Sequence, residues 1–207
     1  MAGIDFSLLL RGLLIGFSIA APVGPIGVLC IRRTLAEGQL AGLATGLGAA
    51  TADALYGCIA AFGLTFISSF LIRQQFLLGF VGGLFLCYLG VRTFLAVPAE
   101  QAAAAGGKNL LGMYASTFFL TLTNPLTILS FAAIYAGLGL ASQAGDYLSA
   151  AVLVLGVFLG SASWWLFLSG GVSLLRRRIT SGALRWVNRI SGAIILLFGL
   201  AVLVQLL

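Results

Sequence analysis

Apolar stretches of roughly 18 residues or more, parted by short charged or Pro/Gly-bearing segments, run the length of this chain. A stretch that long crosses about 30 Å of hydrocarbon as an α-helix. In lipid the backbone amides and carbonyls have no water to bond, so only helices or closed barrels can span it. A barrel would show alternating segments of about 10 residues, and none are seen. Composition agrees: of 207 residues 61% are hydrophobic and 8% charged, too few charges to keep a soluble domain of this size dispersed. The expected fold class is an all-α integral membrane protein.

Charges and Pro/Gly clusters mark six spans, at about 7–31, 39–63, 72–95, 109–136, from just after Asp146 to 175, and 188–207. Residues 97–108 (VPAEQAAAAGGK) form the one linker-like segment, so the chain is expected to be a single transmembrane domain, 1–207, of two halves, about 1–97 and 109–207. The halves share a pattern. Ala21-Pro22-Val23-Gly24-Pro25 interrupts span 1, and Thr121-Leu122-Thr123-Asn124-Pro125 interrupts span 4. Each is followed by a helix with G-x-x-x-G spacing, Gly42/Gly46 and Gly156/Gly160. Three spans per half put the halves in opposite orientation, a 3+3 inverted repeat with broken helices 1 and 4. Five spans with a re-entrant helix, at either break, is the alternative.

The net charge is +6, but the cations form no face. They sit between apolar segments, as topology determinants do, which argues against nucleic acid as a partner. Six spans put Arg32, Arg33, Arg92, Lys108, Arg176, Arg177, Arg178, Arg185 and Arg189 on one side, Arg11 and Arg73 on the other. The rich side is cytoplasmic, so both termini are expected outside a bacterial inner membrane. Arg11 and the apolar run after it loosely fit a signal peptide, but the uncharged run continues through Ile31 and reads as the first membrane helix. Histidine, the commonest metal ligand and general base, is absent. Cys30, Cys58 and Cys87 form no C-x-x-C and read as small buried residues. No cofactor and no metal are expected, and the sequence leaves homo-oligomerisation open.

Three features carry chemistry. Pro22 and Pro25 remove two amide donors and free the carbonyls upstream, while Gly24 between them permits positive φ. Irregular backbone at that depth is tolerated where it is buried in protein or lines a wet cavity. Freed carbonyls can hold an ammonium group, and the half-helix after Pro25 can aim its N-terminus at a carboxylate. Asp53 lies about 14 residues, or about 21 Å, into span 2, with no Lys or Arg at matching depth. A carboxylate there costs several kcal/mol unless it is solvated, paired or protonated, so it reads as a proton site or as partner to a cationic substrate. Asn124, directly before Pro125, puts an amide at the second break, and Thr123, Thr127 and Ser130 add neutral groups, although intramembrane hydroxyls often bond only their own helix. Tyr56, about one turn from Asp53, can bond it or border the cavity. Trp164-Trp165 lie deep in span 5 and suit packing or cavity lining.

These residues, in this order, resemble the lysine exporter (LysE/RhtB) family of amino-acid translocators. The similar segments are 21–57, beginning APVGPIGVLCIRRTLAEG, 118–139, FFLTLTNPLTILSFAAIYAGLG, and 160–178, beginning GSASWWLFLSG, which together sample nearly the whole chain. The resemblance implies six helices, export from the cytoplasm and coupling to the proton-motive force, and it carries over onto Pro22, Gly24, Pro25, Asp53, Asn124 and Pro125. One departure is P-V-G-P-I where many members have P-G-P-N, so any role of that asparagine is missing.

The expected function is secondary export of an amino acid or related small amine, with no enzymatic activity. A metal-cation exporter is a second reading, opposed by the lack of histidine, the single membrane acid and the unclustered cysteines. A membrane thiol–disulfide carrier is a third, and it needs cysteines beside the helix breaks, where this chain has none.

Overall fold

The computed structural model describes residues 6–22, 24–61, 73–96, 109–124, 127–131, 147–176 and 180–206. Among them all regular structure is α-helical: α1 (Phe6–Ala20), α2 (Pro25–Glu37), α3 (Gln39–Ala61), α4 (Gln75–Phe94), α5 (Leu110–Leu122), α6 (Tyr147–Arg176) and α7 (Ser181–Val204), with a further helical stretch at 127–131. Three helices are long and apolar enough to cross a membrane, Phe76–Phe94, Tyr147–Leu175 and Gly182–Val204. Counting α1 and α2 as one broken span makes four. α3 is 23 residues long, but it carries Gly, Ala, Thr and Asp53 where the others carry Leu and Val.

The first break falls where two prolines require it. α1 ends at Ala20, α2 starts on Pro25, and the two helices are bent by 81°. Pro25 at the first helical position loses nothing, because that amide has no intrahelical acceptor anyway. Gly24 does not use its freedom: its φ is −104°, extended backbone, and a Cβ there would meet nothing within 4 Å. The expected positive φ is at Gly38 instead (φ 103°), whose amide caps α2 on the Thr34 carbonyl at 2.9 Å before the chain enters α3.

Two basic segments expected as loops are largely helical. Span 1 was expected to stop at Ile31, but Leu35-Ala36-Glu37 are good helix formers and α2 runs through Arg32 and Arg33 to Gly38. Span 6 was expected from 188, but α7 starts at Ser181 and includes Arg185 and Arg189. Thr180 is its N-cap, its hydroxyl oxygen accepting from the Ala183 amide at 3.2 Å. Residues 97–108 and 177–179, and Pro125, lie outside the described residues.

Glycines set the closest helix pair. On α1, a Cβ at Gly12 or Gly16 would strike the carbonyls of Leu153 or Val157 on α6; on α6, one at Gly156 or Gly160 would strike those of Leu9 or Leu13. Two G-x-x-x-G faces thus meet backbone to backbone, as small residues do in membranes. α3 packs between α6 and α5, and α7 against α4 and α2. Asn188, fully buried on α7, accepts from Arg32 Nε at 3.1 Å and donates to the Ala96 carbonyl at 3.1 Å, tying α2, α7 and the end of α4 together.

Candidate functional site

The break between α1 and α2 opens onto a cavity of about 340 Å³. Its wall takes Ser18, Ile19 and Ala20 from the end of α1, Pro22 and Gly24 from the break, and Pro25, Ile26 and Gly27 from the start of α2. Ala49 and Asp53 of α3, Thr121 of α5, Asn124, Thr127 and Ser130, and Trp165 of α6 complete it. Residues distant in sequence therefore converge: Pro22, Gly24, Pro25, Asp53 and Asn124 share one space. Pro22 and Pro25 have no N–H for the carbonyls of Ser18 and Ala21, which would be their helical acceptors. Ile26 and Gly27 lie in the first turn of α2, where amides have no intrahelical acceptor. The break thus supplies acceptors and donors of the kind that hold the two ends of a zwitterion.

Asp53 is 3% exposed. Its Oδ2 accepts from the Ser161 hydroxyl at 2.7 Å, and Ser161 Oγ in turn accepts from the Trp165 indole N–H at 3.2 Å. Ser161 and Trp165 are one turn apart on α6, so one helix face presents both to α3. A Cβ at Gly46 would strike Trp165, so the glycine lets the indole lie against α3. Among the described residues no cation bonds Asp53, in keeping with the lack of Lys or Arg at its depth. Ser161 was not singled out in the sequence, because a serine among small residues in an apolar helix gives no signal until its neighbour across the interface is known.

Two expected site residues are not on the wall of this cavity, although Thr123 shares a small neighbouring pocket with Pro25 and Asn124. Tyr56 does not bond Asp53 and is not among the cavity residues. Its hydroxyl donates to the Leu122 carbonyl at the end of α5, and its ring stacks on Phe131 at 5.5 Å between centroids. An i,i+3 spacing on a helix puts two residues near each other but leaves the hydroxyl free to choose another acceptor, here a carbonyl at the end of α5. Thr123 donates to its own helix at the Phe119 carbonyl (2.9 Å) and faces Gly82 of α4, outside the main cavity.

Arg33, expected in a cytoplasmic loop, is 7% exposed. Nη1 donates to Thr45 Oγ1 (3.0 Å), the Met113 carbonyl (3.0 Å) and Thr117 Oγ1 (3.1 Å), and Nη2 to Ser116 Oγ (3.0 Å). One guanidinium therefore ties α2 to α3 and α5. Cys30, Cys58 and Cys87 are not in disulfides, the Cys30 thiol donating to the Gly42 carbonyl at 3.6 Å, and none is among the described residues of the cavity wall. Among the described residues no group of three or more Cys, Asp or Glu could hold a metal ion.

The model of the LysE type translocator family matches residues 17–206. The chain is 31% identical over 197 residues to a Bacillus subtilis (strain 168) protein named "Putative amino acid efflux protein YcgF", covering 93% of each. It is 29% identical over 181 residues to the Escherichia coli (strain K12) "Uncharacterized membrane protein YahN", covering 84% of this chain and 79% of that one. No solved structure matches. Helices able to cross a membrane, a broken helix opening onto a polar-edged cavity, and a family match over most of the sequence agree: the chain is a membrane transport protein and belongs to the LysE type translocator family.

Proposed function

We propose that the protein exports an amino acid or related small amine from the cytoplasm of a bacterium, in exchange for protons. The observation that carries the reading is Asp53 on the wall of the cavity formed at the α1–α2 break. The family match and the name of the Bacillus subtilis relative support the substrate class.

The proposed cycle needs one site with two occupants. A carboxylate out of water is costly unless it is neutralised. A proton from outside neutralises Asp53 in one state, and a substrate ammonium from the cytoplasm pairs with it in the other. The substrate carboxylate meets the amides at the start of α2 and the amide of Asn124, with Pro22, Gly24, Pro25 and Pro125 keeping the breaks open. Because the two occupants compete, the site carries one or the other, which is the minimum for antiport. Purified protein in proteoliposomes, with an imposed pH gradient, is expected to move at least one amino acid, and to stop moving it uphill when the gradient is collapsed. Gradient-independent movement of every substrate would rule out antiport.

The same reading carries six spans as a single domain in a 3+3 inverted repeat, with 97–108 as linker and both termini outside the inner membrane. The nine-to-two distribution of Lys and Arg supports that orientation. Single cysteines at residue 143 and residue 180, in a background without the native thiols, test it. A membrane-impermeant reagent added outside is expected to label the first, and labelling of the second instead would invert the topology.

A further inference from the structure

The cavity wall is electrically one-sided. Among its described residues Asp53 is the single ionisable group, and the rest are apolar, as Ile19, Ile26 and Trp165 are, or neutral and polar, as Asn124 and Ser130 are. The carboxylate is also half spent. Tryptophan can only donate, so the chain from Trp165 N–H to Ser161 O–H to Asp53 Oδ2 runs one way and holds the carboxylate as acceptor at its end. Among the described residues Oδ1 has no hydrogen bond, so it can accept from an ammonium group.

We infer that the ligand of this cavity is an amino acid whose side chain is uncharged and mainly apolar, and that substrates with a second charge are rejected. The inference rests on the amino-acid export reading. Among the described residues a second ammonium would be desolvated with no acid to meet, since the carbonyls freed at the break offer dipoles and no charge, and a second carboxylate would face Asp53 with no cation on the wall. The apolar wall instead repays burial of an aliphatic or thioether side chain. The volume, about 340 Å³, is near the lower end of the roughly 300–1,000 Å³ of small-molecule pockets and suits one free amino acid.

The test is a substrate panel in proteoliposomes under a pH gradient, with leucine, methionine, lysine and glutamate as probes. Leucine or methionine is expected to be transported, with kcat/KM for lysine about 100-fold lower, or about 2.8 kcal/mol at 1.4 kcal/mol per tenfold. Lysine within about threefold of leucine would overturn the inference and leave amino-acid export standing. Transport of none of a full set of amino acids would overturn both. A second arm adds the missing acid. Ser130 is half-buried on the cavity wall, and Ser130→Asp is expected to raise lysine transport about tenfold or more while leucine still moves. If Ser130→Asp moves leucine and its ratio of lysine to leucine kcat/KM is no higher than that of the wild type, charge is not what excludes lysine and the inference fails.

Discussion

Asp53 and Arg33 are both buried in the bundle, at 3% and 7% exposure, yet their surroundings differ in kind. Arg33 is packed among acceptors: four hydrogen bonds to Thr45, Met113, Ser116 and Thr117 join it to α3 and α5. Every acceptor is neutral, and three are hydroxyls that already donate to carbonyls of their own helices. Asp53 has one bonded oxygen and an open volume beside it. A charge whose bonds are filled by protein holds helices together, whereas a charge with bonding capacity left beside a cavity is the one that the proposed function gives a ligand to bind. Burial alone does not separate the two roles, but the unspent bonding capacity does.

The sharpest way to break the comparison is to neutralise the acid. Asp53→Asn keeps the size and can still accept from Ser161, but it cannot ionise. Gradient-driven export is expected to fall by about 100-fold or more, while insertion and thermal stability stay near wild type, because removing an uncompensated buried charge does not weaken a fold. Export at the wild-type rate with an unchanged response to the gradient would make Asp53 structural.

Arg33→Met should show the opposite pattern. It fills the space of the stem but gives up four hydrogen bonds, partly offset by the recovered desolvation of the charge. An apparent destabilisation of about 2 kcal/mol is expected, read as a lower melting temperature in detergent, with transport per folded molecule within about twofold of wild type. Lost transport at unchanged melting temperature would place Arg33 in the transport machinery and erase the distinction.

The sequence was most legible where chemistry left few choices. Two prolines flanking a glycine remove two helical donors, so an interruption of span 1 at the Ala21–Pro25 cluster is legible in the sequence, and α1 does end at Ala20 with α2 starting at Pro25. Asp53 stood out because carboxylates are rare in apolar helices. The ends of α4 and α6 fell within about three residues of expectation because charges, Arg73 and Arg92 for α4 and Asp146 and Arg176 for α6, lie close to them. What failed depended on partners. Arg32 and Arg33 looked like loop cations because cations usually mark membrane edges, and it takes the hydroxyls of α3 and α5 and the Met113 carbonyl, which the local sequence does not reveal, to make the buried Arg33 guanidinium tolerable. Ser161 was invisible for the same reason. α7 began earlier than expected because a threonine N-cap is a weak signal beside a run of arginines.

The smallest expected effect concerns a residue that sequence spacing had placed with Asp53. Tyr56 lies three residues further along α3, but its hydroxyl is spent on the Leu122 carbonyl in the last turn of α5. The ring is buried and stacked on Phe131. Tyr56→Phe preserves the ring, its burial and the stacking, and removes one hydrogen bond between α3 and α5. The cost is therefore that of one neutral bond, about 1 kcal/mol, seen as a melting temperature lower by a few degrees. Transport per folded molecule should stay within about twofold, and the dependence on the pH gradient should not change. Asp53 alone would then remain the group that senses the gradient. If Tyr56→Phe keeps its melting temperature but uncouples transport from the gradient, the hydroxyl acts together with the carboxylate during the cycle. The division between groups that hold the bundle and the group that works in the cavity would then have to be redrawn to include Tyr56.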